Sequence, residues 1–233
     1  LMSDSPAWYA AHLECLRPGE RQRDVLCAAS PELFLEVDGQ RVVTTRPMKG
    51  TRPAEVAVEQ LRDSEKDRAE LNMIVDLMRN DLGRVCDIGS VRVIEPRCIE
   101  SHPTVHQAVA TVQGRLNDRH SLGDLLRATM PGGSITGAPK VRAMQIIDEL
   151  EPVRRGPYCG AYGWLRGGRM SLAMAIRTAV LSHDTNLQSG RASFHIGAGI
   201  VADSQPIAEY DETRDKAAAM LRALDELSSK DAR

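Results

Sequence analysis

Asp38-Gly39-Gln40 separates two short segments, Leu33–Val37 and Arg41–Thr45. An Asp-Gly step between runs of this kind is a strong local instruction to fold back as a β-hairpin. A second turn, Arg166-Gly167-Gly168-Arg169, joins Gly160–Leu165 to Ser171–Ser182 in the same way. Strands joined by such turns pair antiparallel. The helical periods lie outside these hairpins, so the order of elements predicts one α+β unit and not a regular βαβ alternation.

The remaining segments fill in around the hairpins. The spacing predicts a short helix over Trp8–Leu16, an apolar segment at Val25–Ala29 and a loop over Met48–Pro53. Helical periodicity follows from Pro53 to Leu82, broken near Asp63-Ser64. Ser90–Ile94 and Thr104–Gln113 alternate like strands, and Leu122–Thr129 reads as a helix. A glycine-rich loop, Pro131–Gly137, leads into a helix with Pro139 near its first turn and Leu150 near its end. Phe194–Val201 reads as a last strand and Pro206–Leu227 as a closing helix. With aromatics at 3%, the core must be aliphatic, built from Leu, Val, Ile, Ala and nine Met.

The same composition excludes several functions. Lys and Arg number 30 against 32 Asp and Glu, which lacks the basic excess of a nucleic-acid or anionic-membrane binder. Two Phe and two Trp do not furnish a base-stacking surface. No apolar run reaches the roughly 20 residues of a membrane span, and the first residues do not resemble a signal peptide. The five cysteines are scattered without a CxxC pair, which argues against structural zinc or a disulfide scaffold and for thiols in a reducing cytoplasm.

The acids carry the chemical signal. Asp67 and Glu70 fall on the helical stripe of Met73, Ile74, Leu77 and Met78, while Glu209, Glu212 and Lys216 share a stripe with Ala219, Met220, Ala223 and Leu227. Buried carboxylates are expensive unless paired or metal-bound. Four of them with no His or Cys cluster suit a hard, oxygen-seeking ion, Mg²⁺ above others. The competing explanation is that acids near helix starts answer the helix dipole. Pro131–Pro139 fails the phosphate-loop spacing because Lys140 is not in a Gly-Lys-Ser/Thr context, although its backbone amides at a helix start suit a carboxylate. Gly197-Ala198-Gly199 permits close approach of a ligand to the backbone, or simply a tight turn. Lys49 is either a solvated loop charge or a nucleophile, His106 either structural or acid–base, and Arg177 either a carboxylate ligand or an edge-strand guard.

Taken in order, these segments resemble the chorismate-utilising enzymes, which comprise anthranilate synthase component I, aminodeoxychorismate synthase component I, and the isochorismate and salicylate synthases. The matching stretches include Ser30-Pro31-Glu32, Arg46–Thr51, Lys66–Glu70, Val75–Leu82, Val105-His106, Pro131–Lys140, Gly156–Ala161, Ala175–Thr178, Gly197–Ile200 and Glu209–Lys216, covering about residues 24–225. The resemblance implies two large antiparallel sheets packed face to face with helices outside. It implies Mg²⁺ held by Glu70 and Glu212, with Asp67 and Glu209 acting through water. Thr136, Gly137, Tyr158, Arg177, Gly197, Gly199 and Lys216 then match substrate-binding positions, His106 a histidine near the ring and Glu32 a general acid/base.

Lys49 sorts the subgroups. Anthranilate synthases usually carry Ala there, whereas Pro-Ile-Lys-Gly-Thr is typical of aminodeoxychorismate synthases; Met48 replaces the usual Ile. The resemblance thus implies amination of chorismate at C4 through a lysine adduct at C2, with ammonia from a glutamine amidotransferase subunit. The alternatives are the anthranilate reaction and a truncated chorismate-binding module without turnover. Because the chain opens on Leu1 and enters the family pattern late, the upstream part of the catalytic domain is expected to be missing.

Overall fold

The computed structural model describes residues 8–16, 22–103, 105–184 and 190–230. In chain order the strands are β1 (Tyr9–Leu16), β2 (Gln22–Ser30), β3 (Leu33–Val37), β4 (Val42–Arg46), β5 (Met48–Pro53), β6 (Arg92–Ser101), β7 (Val105–Arg115), β8 (Ala161–Arg166), β9 (Arg169–Met174), β10 (Thr178–Asp184) and β11 (Gly190–Phe194). The helices are α1 (Val58–Arg62), α2 (Glu65–Gly83), α3 (Leu122–Thr129), α4 (Lys140–Leu150) and α5 (Pro206–Lys230), with a 3₁₀ turn at Gly133–Ile135. Contacts divide the chain into two compact units. The first is Leu1–Pro31, Arg155–Tyr158 and Ala175–Arg233; the second is Glu32–Arg154 and Cys159–Met174.

Each unit carries one antiparallel sheet, as the hairpin signals require. The first unit orders its strands β1-β2-β10-β11 and adds α5. The second orders β5-β7-β4-β3-β9-β8, with β6 along the free side of β7. The Asp38 turn forms as expected: Asp38 Oδ1 accepts from the Gln40 and Val42 amides at 2.8 and 2.9 Å. Arg41 adopts φ 64°, so β4 starts one residue later than the alternation suggests.

Ser64 caps the start of α2, its side chain accepting from the Asp67 amide, which is the break expected at Asp63-Ser64. The helix lies against β5, β6 and β7. Leu71, Ile74, Met78 and Leu82 are buried on it, as are Ala108, Val109, Ala110 and Val112 on β7. These aliphatics and Met form the core that composition demanded. Among the described residues, no helix is long and apolar enough to cross a membrane.

Five segments depart from expectation. Residues 9–16 are a strand paired with β2, because cross-strand pairing overrides a short helical period. Residues 48–53 are a strand, β5, bulged between Met48 and Thr51 where Gly50 sits. Ser171–Ser182 is two strands in different sheets, broken at Ala175–Arg177, where Arg177 takes φ 50° and redirects the chain. The last strand ends at Phe194, and residues 195–200 run without regular structure. The strand expected from Ser90 starts at Arg92 and runs to Ser101, with its register shifting around Pro96, which cannot donate to a ladder. Thr104 lies outside the described residues.

Candidate active site

In the second unit, β5 and α2 bring the sequence-predicted acids and lysine together. Lys49 Nζ lies 3.3 Å from Glu70 Oε2, and Lys66 Nζ is 3.9 Å from the other oxygen. One turn earlier, Arg52 Nη2 donates to Asp67 Oδ2 at 2.8 Å. The Asp67 and Glu70 side chains are only 13% and 11% exposed, so both acids sit on the packed side of α2 as the stripe indicated. Leu71, Ile74 and Met78 of that helix are buried, with Met73 and Leu77 half-buried beside them.

Gly50 is what lets β5 run this close. It adopts φ +88°, and a Cβ there would stand 2.7 Å from Leu61 Cδ1 and 2.9 Å from Asp67 Cγ. A Gly50→Ala substitution is therefore expected to cost roughly 1–3 kcal/mol, by strain and overpacking. Urea midpoints would read the loss, and an unchanged midpoint would contradict this packing.

Glu32 is the second chemical feature. It follows β2, is 5% exposed, and its Oε1 accepts from Ser134 Oγ at 2.6 Å. Burial raises its pKa to about 7, against a smaller downward pull from the Ser134 hydrogen bond and the Lys49 charge. A carboxyl that keeps its proton near neutrality is equipped to donate it. His106, on β7, is half-buried with Nδ1 2.8 Å from Ser101 Oγ. Thr136 Oγ1 donates to the Gly132 carbonyl at 2.9 Å, which closes the glycine-rich turn on itself, and Gly137 follows with φ 136°.

The first unit gathers the other predicted residues. Lys216 Nζ lies 2.5 Å from Glu212 Oε1 and 3.4 Å from the Gly197 carbonyl. Tyr158 stacks on His195 with ring centroids 5.7 Å apart, and a Cβ on Gly197 would stand 3.5 Å from the tyrosine hydroxyl. Gly199 lies in the same irregular stretch. Glu209 is 4% exposed and accepts from Ser204 Oγ at 2.7 Å on the wall of a cleft of about 400 Å³. Glu212, expected on the same buried stripe, is half exposed instead. The side chains of Ala219 and Leu227 lie outside the described residues. Arg177 is half-buried, and loss of solvent depresses the pKa of its guanidinium. An arginine so placed favours an anion beside it.

The acids of α2 and α5 offer only carboxylate oxygens, the donor chemistry of a hard dication, and each retains lone pairs beyond its present partner. Among the described residues of either unit, no three Asp, Glu, His or Cys side chains gather. Asp67 and Glu70 supply two donors in one unit, Glu209 and Glu212 two in the other.

The family model for chorismate-binding enzymes matches residues 1–222. The chain belongs to this family. It is 50% identical over 204 residues to aminodeoxychorismate synthase component 1 of Klebsiella aerogenes, covering 84% of this chain and 44% of that one. It is 45% identical over 234 residues to anthranilate synthase component 1 of Thermus thermophilus, covering 97% and 48%. Its fold matches a crystal structure described as a putative 2,3-dihydroxybenzoate-specific isochorismate synthase of Bacillus anthracis. There the TM-score is 0.80 at 26% identity, covering 96% of this chain and 60% of that one. The chain thus spans about half the length of the curated relatives it matches.

Sequence reasoning missed three partners: Ser134 on Glu32, Arg52 on Asp67, and a buried pair between Asp81 and Lys140. Ser134 lay inside the singled-out glycine-rich stretch, but a contact spanning 102 residues leaves no periodic trace.

Proposed function

We propose that the protein aminates chorismate at C4 with ammonia, giving 4-amino-4-deoxychorismate. The observation that carries the reading is Lys49 beside Glu70, together with a buried acid, Glu32, that feels the Lys49 charge. Lys49, once its ammonium has given up a proton to solvent, attacks C2 while both ring double bonds shift and the C4 hydroxyl departs. Glu32 gives that hydroxyl its proton, so water leaves. Ammonia then adds at C4, both double bonds shift back, and the Lys49 amine is released from C2 as the ammonia's surplus proton returns to Glu32 or solvent. Glu70 orients the lysine from 3.3 Å. His106 stands near the ring, and Tyr158, Arg177, Lys216 and the backbone at Thr136, Gly137, Gly197 and Gly199 hold the substrate carboxylates. Glu70 and Glu212, assisted by Asp67 and Glu209, would hold Mg²⁺, which would polarise substrate oxygens without redox chemistry. Ammonia comes from a glutamine amidotransferase subunit, and the setting is the cytoplasm.

A second reading is the anthranilate reaction, favoured by relatives of that name at similar identity. Product analysis with chorismate, Mg²⁺ and ammonium separates the two. Aminodeoxychorismate is the expected product; fluorescent anthranilate formed directly would overturn the C4 reading, and chorismate bound without turnover would leave a binding module.

A further inference from the structure

Lys140, which fits no phosphate-loop pattern, finds its partners in the buried interior. Its ammonium lies 2.5 Å from Asp81 Oδ2 near the end of α2 and donates to the Thr129 carbonyl, the last residue of α3, at 3.2 Å. The Asp81 side chain is 3% exposed and that of Lys140 16%. Thr129 immediately precedes the loop 130–139 and Lys140 immediately follows it. One ammonium therefore ties both ends of the loop together and fastens them to α2. A buried pair of this kind is rigid in its demands, since removing either charge strands the other.

The loop so held has little freedom elsewhere. Its Gly133 rests on α2 so closely that a Cβ would come within 2.6 Å of Leu77 Cδ2. The next residue is Ser134, whose hydroxyl reaches Glu32. We propose that Asp81 and Lys140 are positioning residues that clasp the loop 130–139 on α2 and so hold Ser134 against Glu32. The inference takes the chain's acid–base site as given by the proposed function, but its geometry stands independently of which product forms.

The test is a titration of the Glu32 carboxyl by NMR in protein labelled with ¹³C at the glutamate carboxyl carbon, with Glu32→Gln assigning the resonance. The wild-type midpoint is expected near 7, because burial outweighs the Ser134 hydrogen bond and the Lys49 charge that lower it. Ser134→Ala should raise the midpoint by roughly 1 pH unit, the size of one hydrogen bond to a carboxylate. Lys140→Met should raise it by the same amount, and Ser134→Ala with Lys140→Met together should raise it no further. If Lys140→Met alone does not fold, Asp81→Asn with Lys140→Met removes the clasp without leaving an orphan charge. A wild-type midpoint in either clasp variant, or shifts that add to that of Ser134→Ala, would overturn the inference and leave the clasp as structural only. The product assay fails or succeeds separately, since it reads the reaction and not the position of the loop.

Discussion

Lys49→Ala is expected to lower aminodeoxychorismate formation by about three orders of magnitude or more, while the protein still folds. The substitution removes the amine that the proposal places on C2, and ammonia in solution cannot replace a nucleophile already oriented by Glu70 at 3.3 Å. It also removes the nearer of two cations from a carboxylate that is 11% exposed. Lys66 remains 3.9 Å from Glu70, so the loss of stability should be about 1–2 kcal/mol, below that for breaking a fully buried pair. Initial rates with saturating chorismate, Mg²⁺ and ammonium, beside urea unfolding of the same variant, separate the two effects. Full activity in Lys49→Ala would remove the covalent step.

Glu32→Gln is expected to act on both activity and pH dependence. Glutamine fills the same space and can still accept from Ser134, but it carries no proton to give, so the rate should fall by roughly two to four orders of magnitude. The stability effect has a definite sign. Folding raises the Glu32 pKa from an ordinary 4.5 to about 7, mainly through desolvation. The folded chain thus keeps a proton that the unfolded chain has already released. The stability linked to this group is complete below about pH 4.5 and is lost as pH rises through 7. The difference amounts to about 3 kcal/mol. Urea midpoints of the wild type should therefore decline between pH 4.5 and 8 relative to those of Glu32→Gln. Parallel curves would show that Glu32 ionises normally when folded.

The parts legible in the sequence were those encoded over short distances. Asp38-Gly39 set its hairpin through contacts two and four residues away, and Ser64 capped α2 within one turn. The stripe placing Asp67 and Glu70 on the buried side of α2 followed from helical geometry alone. What escaped depends on long-range partners. Residues 9–16 are a strand only because β2 lies beside them, and 48–53 because β7 does. The break between β9 and β10 turns on one residue, Arg177, entering the left-handed region, which its type does not foretell. Glu209 and Glu212 show the limit of periodicity: both share the predicted stripe, yet one is buried and the other half exposed. Ser134 on Glu32 and Lys140 on Asp81 span 102 and 59 residues, beyond any local pattern.

The reaction as proposed turns on a covalent bond between Lys49 and the substrate. Peptide mass spectrometry after rapid acid quench tests it most directly. Protein incubated with chorismate and Mg²⁺ in the absence of ammonium should show the peptide bearing Lys49 heavier by chorismate less one water, and later addition of ammonium should discharge that mass as aminodeoxychorismate forms. Rapid product formation with the Lys49 peptide unmodified at every quench time would rule out the adduct.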